Sequence, residues 1–332
     1  MTRNIFYFTI VFAFTFLIFM CSCNDDKKPK DDPGLKKDVI TKETPVFNSG
    51  RAWKYLTDQV DFGPRSPNSA AHKNCLNYFN KVLLESAASV NLQNFTLEVY
   101  GEKLNLTNVI ASFNPESTTR ILLCAHWDSR PRADRETDPK KQKMPIPGAN
   151  DGASGVAVLL EIAKLMKENP PPVGVDIVLF DGEDYGKEGD LDNYFLGSRY
   201  FGKNKPKDYY PVYGILLDLV GDKNLRLPKE GYSAGRFHPV LVDRIWSIGR
   251  SLGYNQFDYT IGGAVEDDHV ILNDYGIPCI DIIDIDLIGN ESNDSSRNYW
   301  HTLRDTPERC SKESLKVVGD VLLQLIYNKP VI

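Results

Sequence analysis

The sequence predicts an α/β fold of three layers, with helices on both faces of a central mixed, mainly parallel sheet. Three observations carry that expectation. Short runs rich in Leu and β-branched residues recur at 121–126 (ILLCAH), 175–183 (VDIVLFDGE), 213–221 (YGILLDLVG) and 277–285 (IPCIDIIDI), with turn residues around them. Helical periodicity separates the first two runs and returns after the last. The runs are also apolar on two faces, the pattern of strands covered from both sides.

The chain has 332 residues, 42% of them hydrophobic, enough for one ample core and a single folded domain. Residues 1–23 read as an export signal, with Arg3 as the charged start, 5–20 as the apolar core and CSC as the junction. That core is short for a membrane span of about 20 apolar residues. Cys23 is the expected lipid-attachment site in preference to Cys21, because small Ser22 precedes it whereas Met20 precedes Cys21. Residues 24–45 are charged, contain proline and carry almost nothing apolar, so a disordered tether is expected. The folded domain then occupies 46–332 of an exported lipoprotein, held in the periplasm or at the outer membrane and cell surface.

Within that domain the first strand run ends on His126 and Asp128. In the helix that follows, Val156, Leu159, Leu160 and Ala163 fall at i, i+3, i+4 and i+7, and Asn169 with three prolines stops it. The second run delivers Asp181, Glu183 and Asp184, the third delivers Asp218, and EDDH (Asp267, Asp268, His269) precedes the fourth. Leu315, Val318, Leu322 and Leu325 mark the last helix.

A formal net charge of −6, with no long basic run beyond the amino-terminal tail, argues against a nucleic-acid partner. Cys75, Cys124, Cys279 and Cys310 have no CxxC spacing, which argues against a thiolate metal site, and Cys124 and Cys279 read as core residues. Sites in open α/β sheets form beyond the carboxyl ends of the strands. Carboxylates gathered there need a counter-charge, and the strand ends contain no Lys or Arg. A metal ion is therefore expected, and carboxylates mixed with imidazole suit zinc with one position left open. The candidates are His126, Asp128, Asp151, Glu183, Asp184, Asp218, Asp267, Asp268, His269 and His301. Asp128 and Asp181 serve equally well as turn or helix caps. His72 and His238 lack a neighbouring acidic motif and read as surface residues, Trp127 and Trp246 as packing, and His269 as a group that orients a carboxylate.

The motifs CAHWDSR, GANDGASGVAVLLEIA, VLFDGED followed by LGSRYF, LDLVGD, VEDDHVILNDYGIPCIDII and YWHTLRDT, with the earlier DFGPRSPNSAAH, resemble the zinc glutaminyl cyclases, whose fold is that of the two-zinc aminopeptidases. The resemblance runs from about Phe47 to Tyr327. It implies one zinc held by Asp151, Asp184 and His301, Glu183 as proton shuttle, and Asp218 and Asp267 as carboxylates sharing a proton. It further implies Trp300 as a wall of the substrate pocket, and amino-terminal Gln peptides or exported proteins as substrates of an enzyme expected to be monomeric. In the aminopeptidase arrangement, His126 and Asp218 would join Asp151 around a second zinc. Asp184 stands where animal cyclases carry Glu, and the loop GKEGDLDNY lacks a Trp that they place near the pocket.

Overall fold

The structure is a computed structural model and describes residues 43–328. The export signal, Cys21, Cys23 and most of the tether lie outside these residues. Among the described residues no helix is long and apolar enough to cross a membrane.

The chain opens with helices α1 (Ser49–Asp61) and α2 (Ala70–Leu84), capped by the side chains of Asn48 and Ser69, which accept from Arg51 N and His72 N. Strands β1 (Ser89–Val99) and β2 (Glu102–Phe113) follow, then β3 (Arg120–His126), α3 (Ala153–Glu168), β4 (Gly174–Phe180), α4 (Leu196–Asn204) and β5 (Gly214–Asp218). After these come β6 (Leu227–Lys229), α5 (Pro239–Ser251), β7 (Phe257–Ile261), α6 (Asp268–Asp274), β8 (Cys279–Ile283) and α7 (Lys312–Asn328). The main sheet runs β1-β2-β4-β3-β5-β8, and β6 pairs with β7 separately. β3, β4, β5 and β8 are parallel, while β1 and β2 are antiparallel, so the expected mixed, mainly parallel sheet is present.

Alternation along the strands produces the layers. Ile121, Leu123 and Ala125 of β3 join the core beneath α1, α3 and α7, whereas Leu122 and Cys124 point to the opposite face, against Phe201 of α4 and Leu272 of α6. Cys75, Cys124, Cys279 and Cys310 are free and buried. Trp127 and Trp246 are fully buried, as packing residues should be.

The amino-terminal hairpin lies outside the four apolar runs, and its largely alternating polar and apolar residues are the pattern of strands covered on one face. Its turn is Tyr100-Gly101, with φ of 53° and 79°, the two positive values that a tight hairpin turn requires. β1 pairs with β2 along its whole length, but β2 meets β4 only over Val109–Phe113. The overhanging half packs Leu104 and Leu106, with Phe95 and Val99, against Tyr185 and Leu196.

Gly155 lets α3 approach β5 closely, since a Cβ there would lie 2.4 Å from the Leu217 carbonyl oxygen. Gly155→Ala is expected to destabilise the protein by about 1–3 kcal/mol through overpacking. Urea denaturation of the two proteins, compared by midpoint and slope, measures it.

Candidate metal centre

Three parallel strands end side by side, and the turns that leave them build the site. β3 stops at His126, and two residues on the buried Asp128 accepts from Glu183 N at 3.0 Å and Asp184 N at 3.3 Å. Asp128 thus fastens the turn after β4. Gly182, with φ of 73°, lets the chain leave β4 in a left-handed turn. Of the three carboxylates beyond that strand, Asp181 turns away, accepting from Thr107 N at 2.6 Å and facing His72 Nε2 at 2.8 Å. Glu183 and Asp184 remain on the cluster side.

Asp151 sits in the turn that opens α3. Its N–H, and that of Asn150, donate to the carboxylate of Asp305 at 3.1 and 2.8 Å. Asp305 follows His301 on the same loop, so two ligand-bearing turns are joined. His301 itself has φ of 54°, a conformation a non-glycine residue holds only when its surroundings impose it.

The side chains form two triads that share Asp151. His301 Nε2 lies 3.6 Å from Asp151 Oδ2 and 3.5 Å from Asp184 Oδ1. His126 Nε2 lies 3.3 Å from both Asp151 Oδ1 and Asp218 Oδ1, and its Nδ1 is 3.6 Å from Glu183 Oε2. In each triad, Asp151–Asp184–His301 and His126–Asp151–Asp218, the potential ligand atoms lie within 4.8 Å of one another. Asp151 Oδ2 and Asp184 Oδ2 are buried and make no hydrogen bond. Burial, reinforced by the charge of Arg130, holds His301 well below the ordinary histidine range, which is the neutral, metal-ligating form. The residues fit a divalent cation, and this mixed oxygen and nitrogen donor set suits zinc.

The neighbouring carboxyls are crowded. Burial pushes Glu183 and Asp184 well above the ordinary range, against the opposing charges of His126 and Arg130 respectively. Burial and repulsion from Asp218 push Asp267 up to about 7, and burial with repulsion from Asp267 takes Asp268 to about 8. His269 stands behind them, 3.2 Å from Glu230 and 3.8 Å from Asp281. A cavity of about 250 Å³ opens over this floor. Asp151, Glu183, Asp184, Asp218, Asp267 and His301 line its polar side; Leu191, Tyr194, Phe195, Val265, Ile288 and Trp300 supply the apolar wall. Trp300 stacks on the His301 ring at 3.5 Å between centroids.

Several expectations change. A buried cation does reach the strand ends, because Arg130 Nη1 donates to Asp184 Oδ1 at 2.6 Å. His72 is a buried partner of Asp181 and stacks on Trp127, not a surface residue. The 187–195 loop lacks a Trp yet reaches the cavity through Leu191, Tyr194 and Phe195. Arg130, Asp134, Tyr194 and Asp305 went unassigned in the sequence, although Arg130 and Asp305 stand inside the motifs CAHWDSR and YWHTLRDT.

Comparison with known proteins agrees with this geometry. The chain is 43% identical to a Zn-dependent exopeptidase from Parabacteroides distasonis, with a TM-score of 0.81 over 86% of this chain and 100% of that one. It is 41% identical to the glutaminyl cyclase of Bacteroides thetaiotaomicron solved with N-acetylhistamine, with a TM-score of 0.81 over 86% and 99% of the two chains. A leucine aminopeptidase precursor from the same organism is 40% identical, with a TM-score of 0.80 over 86% and 99%. Residues 108–326 match peptidase family M28, and with the fold, the strand-end carboxylates and these relatives in agreement, the chain belongs to that family.

Proposed function

We propose that the protein is a zinc-dependent glutaminyl-peptide cyclotransferase, closing the amino-terminal glutamine of peptides or exported proteins to pyroglutamate. The observation that carries this reading is the placement of Glu183 beside the Asp151, Asp184 and His301 triad on the floor of a small, apolar-walled cavity, in a chain so similar to a bacterial glutaminyl cyclase. Asp151, Asp184 and His301 would hold one zinc. When bound there, zinc supplies Lewis-acid polarisation of a substrate carbonyl.

The remaining work falls to the protein. The substrate α-amine nitrogen bonds to the side-chain carbonyl carbon, the carbon bond to the amide nitrogen breaks, and ammonia leaves. The Glu183 carboxylate takes the amine proton and returns it to the departing nitrogen. Asp128 holds the Glu183 backbone in place, Asp218 and Asp267 complete the acidic network, and Trp300 walls the substrate side. Amine and amide belong to one residue, so the cavity needs only to hold them close.

The His126, Asp151 and Asp218 triad favours a second reading, a two-zinc aminopeptidase. Gln-Ala and leucine anilide substrates, offered side by side to protein of known zinc content, separate the two. Ammonia and pyroglutamyl product with one zinc per chain are expected; free leucine with two zincs would overturn the cyclase reading. The same proposal anchors the enzyme to the membrane through acylated Cys23, in the periplasm or at the cell surface, on the support of the CSC junction and the charged stretch after it.

A further inference from the structure

We propose that Arg130 and Asp134, an ion pair on the loop after β3, form a clamp that aims two of the zinc ligands, Asp184 and His301. This rests on the ligand set proposed above. Arg130 is completely buried. Its Nε and Nη2 grip both oxygens of Asp134 at 2.9 and 2.5 Å, its Nη1 donates to Asp184 Oδ1 at 2.6 Å and to the Asp184 carbonyl oxygen at 3.2 Å, and its Nη2 also donates to the Tyr194 hydroxyl at 2.9 Å. One oxygen of Asp184 is thereby fixed. That same oxygen lies 3.5 Å from His301 Nε2, while Oδ2 is buried with no hydrogen bond.

Asp134 acts on the second ligand. Its Oδ1 lies 3.6 Å from His301 Nδ1, the ring nitrogen opposite the one that faces Asp151 and Asp184. A carboxylate on that side favours the proton at Nδ1 and leaves the Nε2 lone pair for the ion, the usual role of an outer carboxylate behind a metal-bound histidine.

The pairing also settles a conflict of charge. A lone guanidinium against a ligand carboxylate would repel a divalent cation. Gripped by Asp134, Arg130 delivers its N–H with its charge largely cancelled. Asp184 has a single methylene, so its reach depends on its backbone, and Arg130 holds that backbone as well.

Asp134→Asn in the full-length protein tests the clamp. The substitution keeps the shape, removes the charge that cancels Arg130 and weakens the partner of His301 Nδ1. Zinc affinity, read by chelator competition, is expected to fall about 10–100-fold, with an altered visible spectrum of the cobalt(II) form. Arg130→Lys should also weaken zinc binding, because one ammonium cannot span Asp134, Asp184 and Tyr194. Wild-type zinc affinity in Asp134→Asn overturns the clamp, as does an affinity loss with an unchanged cobalt(II) spectrum. His301→Ala, which removes a ligand belonging only to the proposed triad, serves as reference. If it keeps zinc, the ligand set is wrong; if it loses zinc while Asp134→Asn does not, only the clamp fails.

Discussion

Glu183→Gln is expected to keep its zinc and lose about 10²–10⁴-fold in turnover, the range that positioned acid–base groups contribute. The amide has the size of the carboxylate, and the anchoring bond from Asp128 goes to the Glu183 backbone N–H. The turn, the cavity and the proposed ligands should therefore persist while the proton carrier disappears. Zinc content by emission spectroscopy and initial rates of ammonia release read the two effects separately. Full turnover in the variant would remove Glu183 from the chemistry, and loss of zinc would make it a ligand.

His301→Ala acts on the metal itself. The imidazole is the sole nitrogen donor in the proposed triad, and its ring faces both Asp151 and Asp184. Its removal leaves two carboxylates of a three-ligand site, and zinc affinity is expected to fall by more than the 10–100-fold typical of outer contacts. The melting temperature of the variant should then no longer rise with micromolar zinc, since a ligand stabilises a fold only through the sites it occupies. Zinc retained in equal proportion to protein would move the centre to the triad of His126, Asp151 and Asp218.

The strands that carry the site were legible because strands buried on both faces are written as unbroken apolar runs. Their ends were less so. The second run was read to Glu183, yet β4 stops at Phe180: Gly182 turns the chain left-handed, and Asp181 bonds to Thr107 and His72 instead of continuing the ladder. The residues Asp151, Glu183, Asp184, Asp218, Asp267 and His301 all reach the one cavity. Their roles came from family resemblance, because spacing alone does not distinguish a ligand from a cap. Partners remote in sequence were invisible for a different reason. His72 and Asp181 are 109 positions apart and Arg130 and Asp184 are 54 apart; the packing of α2 brings the first pair together and the pairing of β3 with β4 the second. Asp128 was named as a possible ligand; its carboxylate holds the backbone of the turn, the capping role that was its alternative.

The overhanging hairpin of β1 and β2 is tied into the molecule more loosely than the turns that carry the site. The carboxylates and imidazoles sit on turns bound to one another and to the parallel strands, where an insertion would disturb several of them at once. The overhanging part of the hairpin packs Leu104 and Leu106 against Tyr185 and Leu196, and its far end is the exposed turn at Tyr100 and Gly101. A change of length at that exposed turn would therefore leave the hydrogen bonds among the metal-binding turns in place.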